Sequence, residues 1–174
     1  RNTQRASLLL LLPALLTWLG PDLLRESVND TMRMLSASLC FGFTAGVVVR
    51  ALLRQRQVSA DTILGGINAY LLIAFAFMFL HIAVAIVDEQ AYATGGVPLI
   101  ESLRAGPDSR GFSALLYFSF TTLTTLGYGD IVAVSSFARL LTSGEAVIGQ
   151  LYVAIFIGRL VALQVSAASG SERS

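Results

Sequence analysis

Lysine is absent from this 174-residue sequence, so all 12 basic residues are arginines, and charged residues of both signs make up only 13% of it. A soluble domain carries about 25%. With 55% hydrophobic residues and a mean hydropathy of +0.70, so little charge excludes an intrinsically disordered chain and a basic nucleic-acid-binding domain. The 12 basic and 11 acidic residues leave a net charge of +1, which implies no polyanionic partner. The single cysteine, Cys40, excludes an intrachain disulfide and any multi-cysteine metal site. What the chain has instead is apolar length. It has room for one ordinary domain or one small membrane bundle, and the composition selects the bundle.

A helix rises about 1.5 Å per residue and the hydrocarbon core is about 30 Å thick, so a span takes ~20 mainly apolar residues. Residues 62–87 hold no Asp, Glu, Lys or Arg over 26 positions, the strongest span in the chain. Residues 138–163 form another, interrupted by Arg139, Glu145 and Arg159. Residues 34–49 are uncharged over 16 positions and reach spanning length if Arg33 and Arg50 snorkel at the ends. Residues 6–21 are also uncharged over 16 positions, with Pro13 in their middle. Arg1 and Arg5 ahead of a leucine run look like the start of a signal peptide. No small-x-small cleavage site follows before Gly20-Pro21, so the segment reads as a short or kinked first span.

Arg50, Arg54 and Arg56 cluster between the second and third spans and mark that loop as cytoplasmic. The third span then runs outward, residues 88–110 lie outside, and the fourth span returns. Both termini are expected in the cytoplasm, and the protein in the plasma (inner) membrane as a multi-pass chain. Arg33 and Arg50 bracket the second span with nothing charged between them. A voltage-sensing helix carries arginines through the hydrophobic region, so no charged gating helix is expected.

Between the last two spans, residues 112–124 are apolar over 13 positions, about 20 Å of helix, too short to cross. They read as a re-entrant helix that ends part-way through the membrane. Leu126-Gly127-Tyr128-Gly129-Asp130 follows. Irregular backbone at that depth is tolerated only where it is buried in protein or lines a water-filled path. Stacked carbonyls of Thr125, Leu126, Gly127 and Tyr128, with the Thr125 hydroxyl below them, suit a dehydrated K+ ion. Unusual dihedrals at alternate positions are what this needs, and Gly127 and Gly129 supply them without a Cβ penalty. One chain gives one strand of carbonyls, so four copies are expected around the ion.

Thr124-Thr125-Leu126-Gly127-Tyr128-Gly129-Asp130 resembles the potassium-channel signature, with Leu126 where Val or Ile is commoner. The stretch Ala60-Asp-Thr-Ile-Leu-Gly, with Gly149-Gln150-Leu151-Tyr152 and Arg159-Leu160, is similar to a prokaryotic group with one pore loop per subunit, within the pore-loop cation channel superfamily. The resemblance implies an all-α fold of outer helix, pore helix, filter and inner helix, preceded by about two transmembrane helices. It implies a potassium-selective homotetramer around a central pore, with further helices ahead of Arg1. On this reading residues 1–57 are N-terminal transmembrane helices and a cytoplasmic loop, 58–165 the pore domain and 166–174 a short polar cytoplasmic tail. Partners are three further copies, membrane lipids and K+, with no nucleic acid. No cofactor is implied. Tyr117 and Phe118 fall where the family braces its filter with an aromatic pair. Gly149, 20 positions after Gly129, falls where many members place an inner-helix hinge, although a close-packing glycine would serve as well.

Asp130 reads either as a carboxylate at the outer mouth, concentrating cations, or as a hydrogen-bond partner of Tyr117. Helical spacing sets Gln150, Ala154, Ile157 and Val161 on one stripe, taken as the cavity lining. Glu145 lies seven residues into the last span and His81 six residues from the outer end of the preceding one, so the two share a depth. Glu145 stands about 140° around the helix from Gln150 and faces protein. It is either a neutral acid bonded to Ser119 or Thr122, or one half of a pH-sensitive His81–Glu145 pair. Three other functions compete, one of them a purely structural membrane scaffold. A weakly selective cation pore is the alternative within channels. An intramembrane aspartyl protease would use the Gly-x-Gly-Asp run at Gly127–Asp130, but it needs a second catalytic carboxylate at the same depth.

Overall fold

The computed structural model of the protein describes residues 26–55, 57–100 and 110–171. Three helices are long and apolar enough to cross a membrane: α1 (Glu26–Leu52), α2 (Ala60–Val87) and α4 (Ser136–Ser171). A shorter apolar helix, α3 (Arg110–Leu123), lies between α2 and α4 in the chain, and three strands flank it: β1 (Tyr92–Thr94), β2 (Val97–Pro98) and β3 (Ile131–Ala133). The expected first span, residues 6–21, lies outside the described residues, as do Arg56, 101–109 and 172–174.

Local chemistry sets the element ends. Ser59 caps α2 through a box in which its hydroxyl accepts from the Thr62 amide while the Thr62 hydroxyl accepts from the Ser59 amide. At the other end Asp88 closes the helix by donating its amide to the Val84 carbonyl. Gly95 and Gly96, at φ +56° and +83°, turn β1 back on β2, a two-residue turn that needs left-handed residues at both positions.

α1 packs along α2, with Phe41 between Phe75 and Phe79 at 5.6 and 5.4 Å and the Ser38 hydroxyl donating to the Ala76 carbonyl. The buried core gathers at one end, where Met78 and Ile82 of α2, Tyr92 of β1, Leu115 and Phe118 of α3 and Ala138 of α4 meet. At the opposite end the guanidinium of Arg159 on α4 donates to the carbonyls of Leu53 (2.6 Å) and Gln55 (3.0 Å), where α1 ends.

The architecture corrects the all-α expectation. The strands pair as an open antiparallel sheet of order β2-β1-β3, with Tyr92 opposite Ala133 and Thr94 opposite Ile131. Strands of two or three residues carry no alternation over four to eight positions, which is why the sequence does not announce them. A single chain of three long apolar helices, one short helix and an unclosed sheet replaces the expected helix-only module of outer helix, pore helix, filter and inner helix. The homotetramer around a central pore that such a module implies falls with it.

Candidate functional site

The segment after α3 is built by that helix's own last turn. The amides of Leu126 and Gly127 both donate to the Thr121 carbonyl (2.8 and 3.1 Å), and the Thr125 amide to Thr122 (2.9 Å). These bonds satisfy carbonyls that a helix C-terminus leaves unpaired and turn the chain out of the helix. Thr125, Gly127 and Gly129 then stand at φ +57°, +52° and +78°. Left-handed residues at alternate positions are easy for glycine. For a β-branched threonine the conformation costs about 1–3 kcal/mol and persists only where its surroundings hold it. The Thr125 hydroxyl is held: it donates to the Thr124 carbonyl (2.7 Å) and accepts from the Gln150 side-chain amide of α4 (3.1 Å).

The other sequence-marked residues distribute around this segment. Tyr117 stacks on Tyr128, ring centroids 6.4 Å apart and planes 9° from parallel. Phe118 turns away from the segment into the core, edge-on to His81 at 5.2 Å and Tyr92 at 5.4 Å. Leu126 and Tyr128 are 57% and 69% exposed. On α4, Gln150, Ala154, Ile157 and Val161 are all exposed. Gly149 meets the end of α3, where a Cβ would stand 2.2 Å from the Leu123 carbonyl oxygen. The helix runs unbroken through it.

Behind α3 lies a polar cluster with no solvent exposure at His81, Ser119 or Glu145. His81 Nε2 lies 2.8 Å from Glu145 Oε2, and Ser119 Oγ lies 2.5 Å from Glu145 Oε1. Tyr92 completes it, its hydroxyl 2.6 Å from His81 Nδ1. The pairing of His81 with Glu145 and that of Glu145 with Ser119 coexist. Tyr92 is the residue that sequence reasoning missed. It opens the three-residue strand β1, too short for a periodic pattern, and only its place soon after the end of α2 connects it to His81. Tyr92 is 1% exposed. Burial, with the carboxylates of Glu145 and Asp88 adding to it, raises its phenol well above the usual tyrosine range.

A family model described as Ion channel matches residues 67–165, from within α2 to the last turns of α4. No curated protein and no solved structure matches the chain. The match is to ion channels in general, and it corrects the narrower expectation in three respects. The prokaryotic potassium channel with one pore loop per subunit gives way to the broader family. Strict K+ conduction through a Thr-Leu-Gly-Tyr-Gly filter gives way to cation permeation, for which the weakly selective pore is the better description. The homotetramer of this chain has no support from the match. Channel membership means transport without a catalytic step. That transport role replaces the protease reading. With three spanning helices and a family match over more than half its length, this multi-pass membrane chain belongs to the ion-channel family Ion_trans_2.

Proposed function

We propose that this chain walls the path of a weakly selective cation channel, with residues 125–129 as its cation-binding stretch and K+ among the ions that pass. The observation that carries the proposal is the positive φ at Thr125, Gly127 and Gly129. Alternating hand turns successive peptide carbonyls toward one side, so Thr125, Leu126, Gly127 and Tyr128 offer a ladder of oxygens to a cation. The C-terminal end of α3 adds the negative end of a helix dipole. Asp130 follows as a carboxylate at the mouth, and Gln150, Ala154, Ile157 and Val161 flank the approach along α4. Every one of these electrostatic features disfavours an anion.

The bracing of the stretch supports weak discrimination. A ladder that separates K+ from Na+ by fit has to keep its width. Here the stack on Tyr117 is the ring contact that Tyr128 makes among the described residues. The arginines at 50, 54 and 56 support a cytoplasmic turn between α1 and α2.

Reversal potentials of the purified protein in planar bilayers, with K+ on one side and Na+ on the other, test the reading. A permeability ratio below about ten, less than about 1.4 kcal/mol of discrimination, is expected. A ratio above about a hundred would overturn weak selectivity, and a current carried by chloride would overturn the cation path. Gly127→Asp should abolish cation current, because the substituted residue strains the backbone at φ +52° and puts a charge beside the ladder.

A further inference from the structure

The cluster behind α3 contains more contacts than a charged His81–Glu145 pair can supply with hydrogens. Ser119 Oγ is within bonding distance of two acceptors, the Ala74 carbonyl of α2 at 2.8 Å and Glu145 Oε1 of α4 at 2.5 Å. A hydroxyl has one hydrogen. The carbonyl brings none, so the Ser119 hydrogen belongs to Ala74, and the second contact is a hydrogen bond only if Glu145 brings its own. With that hydrogen on Oε1, Oε2 accepts from His81 Nε2–H at 2.8 Å. His81 Nδ1 is then the acceptor, and the Tyr92 hydroxyl donates to it at 2.6 Å. Each of the four bonds receives one hydrogen and the cluster is neutral throughout. An ionised pair leaves the Ser119–Ala74 contact without a hydrogen and turns the Tyr92 hydrogen away from His81. A fully buried site favours the neutral arrangement, because no water compensates the charges.

We propose that Glu145 carries a proton, and that this proton is a clamp that ties α3 to α2 and α4 at once, making the cation path responsive to pH. Loss of the proton leaves Ser119 with two acceptors and one hydrogen. Either the bond to α2 or the bond to α4 then goes. Ser119 sits six positions before Thr125, on the helix whose last carbonyls shape the cation-binding stretch, so a slackened α3 alters that stretch. Glu145 is thus a positioning residue for the path and touches no permeant ion. The titratable groups acting on the cluster are His81 and Tyr70 of α2, Asp88 at the end of α2, and Tyr92 of β1, while α3 faces it with the Ser119 hydroxyl. The clamp rests on the channel reading only for its effect on conduction.

Glu145→Gln separates the possibilities, since an amide places N–H toward Ser119 and C=O toward His81, the hydrogen pattern of the protonated acid, and cannot lose it. Infrared spectra of the whole protein in lipid should show the C=O stretch of a protonated carboxylic acid that disappears in Glu145→Gln. This arm needs no current, so its failure is distinct from failure of the channel reading. In bilayers the wild-type open probability should change as pH rises, while Glu145→Gln should stay at the wild-type low-pH value throughout. Ser119→Ala, which removes the hydroxyl, should also abolish the response. Absence of the infrared band, a wild type indifferent to pH, or a pH response surviving in Glu145→Gln would each overturn the proposal.

Discussion

At the scale of single residues, burial and close approach decide more than sequence identity does. Tyr92 holds its phenol proton in the folded state beyond the point at which an unfolded tyrosine releases it, at about pH 10. Its folded value is raised, so its contribution to stability is fully present below that pH and is lost as pH rises above it. Thermal midpoints in detergent should therefore fall steeply above about pH 10, and Tyr92→Phe should flatten that alkaline limb. An unchanged limb would mean that Tyr92 titrates as if unfolded. Gly149 makes a different point. Its absent Cβ leaves room for the Leu123 carbonyl, a backbone group that cannot swing aside. Gly149→Ala should cost about 1–3 kcal/mol by overpacking, read as a lowered thermal midpoint. The family motif offers a hinge or a packing contact at this position, and the sequence alone does not separate them. His81 and Glu145 were easier to relate, since counting the rise from two span ends sets them at one depth and the structure has them 2.8 Å apart. Ser119 and Thr122 stood as alternative partners of Glu145, and it is Ser119 that lies 2.5 Å from Oε1. Tyr92 was not legible, because it lies beyond the end of α2, in a strand too short to leave a pattern.

At the scale of elements, what was legible is what repeats or stays uncharged over many residues. The uncharged run at 62–87 differs from α2 by two residues at one end. The uncharged run at 34–49 marks only the middle of α1, because α1 continues into charged turns at both ends. There Arg33 pairs with Asp30 at 3.2 Å, an i,i+3 contact that eases a charge near a span end. The sheet escaped notice because pairing between distant short segments leaves no local pattern. The same holds for the latch between α1 and α4. Arg159 interrupts an apolar span, and its guanidinium finds the Leu53 and Gln55 carbonyls, backbone groups that no motif encodes. Its Nε is buried without a partner among the described residues, so the side chain is already committed to this position. Arg159→Ala should destabilise the protein by about 1.5–3 kcal/mol, the range for hydrogen bonds to a charged group. Arg159→Lys should recover only part of that, since an ammonium lacks the planar fork. Full recovery with lysine would mean that charge alone, and not the two-carbonyl geometry, holds the ends together.

At the scale of the whole molecule, the contacts at the two ends of the bundle decide which segments share a side of the membrane. α2 has 28 residues, ~42 Å of helix against a hydrocarbon core of about 30 Å, so it crosses with turns to spare. The Arg159 latch puts the far part of α4 beside the turn between α1 and α2. The sheet joins β1, just after α2, to β3, just before α4, at the other end. Arg54 and Thr94 therefore lie on opposite faces, and both are exposed. On the orientation proposed from the arginines at 50, 54 and 56, Arg54 lies inside and Thr94 outside. In a Cys40→Ala background, a membrane-impermeant maleimide added to intact cells should label Thr94→Cys at once and Arg54→Cys only after permeabilisation. The reverse order would invert the whole chain and put Asp130 and the cation-binding stretch toward the cytoplasm. Labelling of both from one side would remove α2 as a span and, with it, the geometry that sets α3 between two crossing helices.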